Sequence, residues 1–194
     1  MCVFEDFQVQ EIDLRTKEVA KTYNLQEIEG FEVSDTAEQD RVVAFALEKD
    51  VQLLGVACTD TVHIFEYAEE EAASLTHVAR IDKAHVAQLV FVEYILVMVQ
   101  EPADQNDQDQ QAEVTMMCYD LESAAVTGAA KIQKASSTAR VLVEPGNECL
   151  YFVAGAQIGK MAVPSMTEVF KVDSGHTDGI LALAVSSLDQ LITT

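Results

Sequence analysis

"DRVVAFALEKDVQLLGVACTDTVHIFEYAEEEAASLTHVARIDKA", residues 40–84, holds four short runs dominated by Val, Ile, Leu, Phe and Tyr, divided by charged breaks. The runs DRVVAFALEKD, VQLLGVACTD, TVHIFEYAEEE and ASLTHVARIDKA are each of strand length, and none carries the 3.6-residue apolar period of an amphipathic helix. Short connections between successive strands favour antiparallel neighbours, so the unit reads as a four-stranded meander.

The same order recurs. HVAQLVFVE, YILVMVQE, EVTMMCYDLES and AAVTGAAKIQKA fill the four slots over residues 85–135, with PADQNDQDQQA inserted between the second and third. TARVLVEPGNE, CLYFVAGA, QIGKMAVPS and TEVFKVDSG fill them again over residues 136–174. Residues 1–39 supply a partial unit ahead of these, and residues 175–194 open another behind them. The third strands share an order of residue types: an apolar or aromatic residue (Ile12, Phe65, Tyr119), an acid (Asp13, Glu66, Asp120), then an apolar residue (Leu14, Tyr67, Leu121). The acids recur at a nearly constant interval of about 53 residues, which marks an internal repeat. In the third complete unit the pattern gives way to MAVPS, and Pro164 predicts that the strand lies at an edge or ends there.

Composition bounds the function classes. Apolar residues make up 49% of the 194-residue chain, enough for a packed core. The formal charge of −21, from 33 carboxylates against 12 Lys and Arg, repels phosphate backbones and anionic lipid, so the sequence argues against nucleic-acid binding and favours basic protein partners. Cys2, Cys58, Cys118 and Cys149 stand singly, three of them in strand-like apolar runs, which predicts buried free thiols in a reducing compartment. The N-terminus lacks the pattern of a secretory signal. The most apolar stretch, VAQLVFVEYILVMV, is interrupted by Gln88 and Glu93 and is too short to span a bilayer. The expectation is an intracellular protein, cytoplasmic or nuclear and nucleolar, that engages no membrane.

With the repeat in hand, the motifs resemble the WD40-repeat family of β-propellers, whose units open on Gly-His and end their third strand on Trp-Asp. Gly175 and His176 match the Gly-His pair, followed by the apolar GILALAVSS, and His85 takes the same slot with Ala84 in place of Gly. Asp60, Thr61, Val62, Ile64, Phe65 and Glu66 are similar to a shortened Asp-x-Thr-Val-x-Ile-Trp-Asp run. The chain has no Trp, and only one true Gly-His pair. The resemblance implies an all-β propeller of four-stranded antiparallel blades. It divides the chain into a partial blade over 1–39, blades over about 40–84, 85–135 and 136–174, and a partial blade over 175–194. That division reads as an incomplete ring of about four blades, a segment of a longer propeller whose exposed strand edges favour self-association. In the alternative, the terminal strands pair into one blade of a four-bladed ring.

The residues that tempt a chemical reading are few. His176 and Asp178 resemble a base and its carboxylate partner, but no nucleophile in a Gly-x-Ser-x-Gly turn accompanies them, and the resemblance implies a structural hydrogen-bonding role for His176 and His85. His63 and His77 lie in strand patterns without a further ligand at metal spacing, so packing is the expected role. The acidic run at residues 101–113 fails as a calcium loop. Starting from Asp104, the sixth position is Asp109 rather than Gly, and the twelfth is Thr115 rather than Glu. The run reads instead as an acidic insertion in which Asp104, Asp107 and Asp109 are candidate contacts for a basic partner.

Asp60, His85, Asp120, Gly175 and His176 are therefore expected as structural motif residues. No catalytic residue, cofactor, metal or small-molecule substrate is expected. The leading function is a non-catalytic scaffold or adaptor in a multiprotein complex, since the resemblance implies many docking loops on a rigid frame. The alternative is an accessory subunit of an RNA-processing assembly, in rRNA processing and ribosome biogenesis or in tRNA modification. A catalytic propeller ranks lower because the inner strands are aliphatic.

Overall fold

The computed structural model describes residues 1–4, 6–32, 41–68, 74–83, 85–101, 113–133, 140–143, 148–154, 156–175, 180, 183–185 and 191–193. Among these residues seventeen strands run in chain order: β1 (Cys2–Val3), β2 (Gln8–Asp13), β3 (Glu18–Asn24), β4 (Ala44–Glu48), β5 (Leu53–Ala57), β6 (Thr61–Tyr67), β7 (Leu75–Asp82), β8 (Val86–Val92), β9 (Ile95–Gln100), β10 (Glu113–Asp120), β11 (Ala125–Gln133), β12 (Arg140–Val143), β13 (Cys149–Ala154), β14 (Gln157–Ala162), β15 (Thr167–Asp173), β16 (Leu183–Val185) and β17 (Leu191–Thr193). One 3-10 turn, Leu25–Glu27, is the only helical segment among the described residues. No helix there is long and apolar enough to cross a membrane.

The sheets are meanders, with sequence neighbours paired antiparallel. Three have four strands (β4–β7, β8–β11 and β12–β15), one has three (β1–β3), and one has two (β16–β17). The chain divides into two compact units, residues 1–89 and 90–194.

In the first unit, Phe7, Val9 and Leu25 share a core with Leu54 and Val56 of β5 and with Phe65 and Tyr67 of β6. All five residues of β5 are buried, which explains why LLGVA is a continuous apolar run and does not alternate. In the second unit, Val97 and Val99 of β9, with Val114, Met116 and Cys118 of β10, pack with Leu150 and Phe152 of β13 and Met161 of β14. A smaller cluster joins Val153 and Ile158 to Ile180. The fourth strands carry the exposed surface: β15 is exposed along all seven residues.

One irregularity recurs between the last two strands of the three-stranded sheet and of each four-stranded sheet. The register shifts between Glu11 and Ile12, Ile64 and Phe65, Cys118 and Tyr119, and Lys160 and Met161. Each shift leaves one extra residue in the outer strand, namely Ala20, Val78, Thr127 and Val169. A bulge of this kind bends a strand and increases its twist near its end. The apolar positions read from the sequence as Ile12, Phe65 and Tyr119 are the residues that follow the shift, and Met161 is the fourth member of the set. Residue type is lost in the third complete unit, but the position is kept. Strand β14 ends at Ala162, and Pro164 sits in the turn beyond it.

Candidate functional site

At Asp13 and Asp120 the acid after the bulge closes a four-residue hairpin. Asp13 Oδ1 accepts from the backbone N–H of Arg15 at 2.8 Å, and Asp120 Oδ1 from that of Glu122 at 2.9 Å. Ser123 adds a hydroxyl donor to Asp120 Oδ2 at 2.8 Å. The Ser123 hydroxyl first, and then the Glu122 N–H, hold the Asp120 carboxyl below its ordinary range by stabilising the ionised form. Each hairpin ends on a left-handed residue, Lys17 at φ 61° and Ala124 at φ 52°, with Met166 at φ 55° in the matching turn of the last four-stranded sheet. Glu66, third in the series, is exposed within β6, and the chain after Tyr67 departs into a longer connection. The shared acid therefore serves two structures.

Asp60 lies half-buried in the β5–β6 turn, which the Cys58 N–H closes on the Thr61 carbonyl at 2.7 Å. His85 contacts this turn through its backbone, its N–H donating to the Thr59 carbonyl at 3.2 Å, while the residue itself is exposed at φ 59°. The resemblance implies a side-chain network for His85; the bond seen at this turn is a main-chain one. Gly175, at φ 79°, donates its N–H to Asp173 Oδ1 at 3.1 Å, and its position suits glycine. His176, Asp104, Asp107 and Asp109 lie outside the described residues.

The first unit holds a polar chain within its apolar core. His63 is fully buried and Thr61 is 3% exposed. His63 Nε2 lies 3.0 Å from Thr61 Oγ1, and His63 Nδ1 lies 3.1 Å from His77 Nε2. The β6–β7 bulge creates this arrangement: above it Ile64 faces Ala79, below it Phe65 faces His77, and the extra Val78 turns outward. Without the shift, Val78 would face inward and His77 would point away. Phe31 packs at a tilt of 52° against the His63 ring with centroids 4.5 Å apart, and His77 and Phe65 meet edge to face at 5.3 Å. Gly30 presses from the other side, at φ 87°, where an added Cβ would stand 3.0 Å from His77 Nδ1.

Burial first, and the Arg80 cation second, lower the His77 pKa, while a hydrogen bond with the Ala79 backbone opposes them. Both imidazoles are packing residues, as their strand positions predict; their contact across the hairpin is what the sequence reading missed. Two His in consecutive strands were the available signal, but only the register change puts them on one face.

Among the described residues no group of three or more His, Cys, Asp or Glu side chains is placed to hold a metal. Burial pushes the Cys118 thiol up to about 11, so it stays protonated and unreactive at neutral pH.

No family model matches the chain. No curated protein matches it by sequence. Solved structures do match by fold. A chain in the crystal structure of a mitotic checkpoint complex aligns over 98% of this chain and 52% of its own length, with a TM-score of 0.61 and 14% identity. The β-propeller domain of Myceliophteria thermophila Cps50 (Swd1) aligns over 97% and 55%, at TM-score 0.58 and 10% identity. Hydrazine synthase of Kuenenia stuttgartiensis aligns over 96% and 49%, at 0.61 and 11%. The chain spans about half the length of the solved structures it matches. At these identities the likeness shows fold alone, and the fold it shows is a β-propeller.

Proposed function

We propose that this chain is a non-catalytic scaffold that binds other proteins within a multiprotein complex, with basic, extended segments as its preferred partners. The observation that carries the reading is β15, an edge strand exposed along its whole length with Val169, Phe170 and Val172 facing solvent. An exposed edge offers backbone N–H and C=O groups to an added strand, and apolar side chains on both of its faces add contact area. The net charge of −21 favours basic partners and speeds their encounter. The non-catalytic part is supported by side-chain chemistry: the buried His63 engages Thr61 and the half-buried His77, and the buried Cys118 thiol is held protonated. The fold itself leaves catalysis open, since it is shared with hydrazine synthase.

The test is affinity purification of the full chain from its own cells, comparing wild type with a Phe170→Ser, Val172→Ser variant. Both side chains are exposed, so the variant keeps its fold. The expected result is loss of specific co-purifying proteins, with the wild-type association weakening as salt rises; an unchanged set of partners rejects β15 as the docking edge. Replacing Asp107 and Asp109 with Lys tests the acidic insertion separately, with weaker binding of a basic partner and unchanged stability as the expected outcome.

A further inference from the structure

The Thr61–His63–His77 chain is positioned to do more than fill space. Between Asn24 and Glu32 the backbone leaves β3 and makes the 3-10 turn with three main-chain bonds: Leu25 N–H to the Phe7 carbonyl at 3.0 Å and, within the segment, Ile28 N–H to the Leu25 carbonyl and Phe31 N–H to the Ile28 carbonyl, each 3.1 Å. Its contacts with the histidines are Phe31 on the His63 ring and Gly30 against His77. With both rings neutral, one ring nitrogen of the facing pair donates and the other accepts, and Thr61 completes the chain whichever tautomer is present. A first added proton still leaves one donor and one acceptor between the rings. A second makes both facing nitrogens donors, 3.1 Å apart, with His63 fully buried and His77 half-buried.

We propose that this chain is an acid-sensitive latch: double protonation of the His63–His77 pair drives the rings apart and releases the Leu25–Glu32 segment from β6 and β7. The charged surroundings favour release. Arg80 faces His63 across the β6–β7 register and adds its cation to the pair. Its counter-charges, Glu32 at 3.3 Å on the held segment and Asp82 at 3.1 Å on β7, are exposed and screened by solvent. From β5 the residue opposite His63 is the apolar Val56, and the other titratable groups of this core among the described residues are Cys58, Tyr67 and the half-buried Tyr23. The lowered pKa of His77 gives the sign. A group held neutral in the folded state takes up its proton more readily when unfolded, so stability is complete above the ordinary histidine pKa and declines as pH falls below it.

The test is hydrogen exchange of the full chain from about pH 7.5 to about pH 5, with rates expressed as protection factors to remove intrinsic pH dependence. In wild type, protection at the Ile28 and Phe31 amides should fall about tenfold or more across that range, because one unit of differential pKa is tenfold in the opening equilibrium. His77→Gln keeps a hydrogen-bonding group where Nε2 stands but does not titrate, and should reduce the fall to about twofold or less. His85 and His176 remain in that variant, so an equal fall in both proteins assigns the effect elsewhere and overturns the latch. If His77→Gln does not fold, the imidazole signals of wild type decide: two separated protonation steps for the pair support it, and a single step near the ordinary histidine pKa rejects it.

Discussion

The β5–β6 hairpin of the first unit and the β13–β14 hairpin of the second solve one packing problem with opposite chemistry. Counting back two residues from the bulge gives His63 in β6 and Gly159 in β14, and their partners across the ladder are Val56 and Phe152. The β9–β10 pair has Met98 and Met117 in the same places. Side-chain volume is thus exchanged across the rung: Val with His, Met with Met, Phe with Gly. The repeat conserves filled space, and the residue types are free to change provided their partners change with them. Where the filler is a polar ring, further partners must be supplied, and Thr61 and His77 supply them.

The Gly159 rung is the most sensitive place to break this exchange. An added Cβ would overlap the Phe152 ring, which is itself 1% exposed. Gly159→Ala should cost about 2–3 kcal/mol as an overpacked core substitution. Combining it with Phe152→Val should recover part of that loss, because the pair then approaches the volume of its counterparts. Urea unfolding followed by circular dichroism measures both, and simple additivity of the two losses would sink the volume-exchange idea.

The His63 rung is broken from the polar side. His63→Met imports the β10 solution but leaves the buried Thr61 hydroxyl and His77 without their imidazole partner, at a cost of about 1–3 kcal/mol. Adding Thr61→Val and His77→Leu should then restore part of the loss, since replacing all members of a polar chain by apolar groups of similar shape is close to neutral. If the triple variant is no more stable than His63→Met alone, the polar chain is not what separates this core from that of the second unit.

Much of this architecture is legible in the chain. Alternating and continuous apolar runs give an all-β meander because strand periodicity depends only on local residue order. The equivalence of Ile12, Phe65 and Tyr119 is legible for the same reason. Met161 escapes because Pro164 and the loss of the acid mask a position defined by hydrogen-bond register. The His63–His77 contact escapes for a related reason. Pairing across a hairpin depends on whether one residue is looped out, and Val78 is as compatible with an inward position as with an outward one. His85, to which the resemblance assigns a structural role, contacts the β5–β6 turn through its backbone N–H at φ 59°, a contact that depends on main-chain conformation and not on residue type.

The smallest effects lie in the turns, where the two units agree. Ala124 occupies the left-handed position at φ 52°, which strains a residue with a Cβ, so Ala124→Gly should raise stability by up to about 1 kcal/mol, readable as a higher urea midpoint. The Asp120 carboxylate in the same turn should show itself through pH. Its pKa is lowered by the Ser123 hydroxyl and the Glu122 N–H, so its contribution is complete above the ordinary aspartate pKa and is lost as pH falls through the lowered value. Asp120→Asn should therefore lower the midpoint slightly near neutral pH and converge with wild type in acid. A parallel offset at every pH would mean that the carboxylate's charge contributes nothing and that the turn is held by shape. That outcome would also explain why the Ala162 turn, which has no acid, closes as the Asp13 turn does, with Met166 N–H on the Ala162 carbonyl at 2.9 Å where Lys17 N–H meets the Asp13 carbonyl at 2.7 Å.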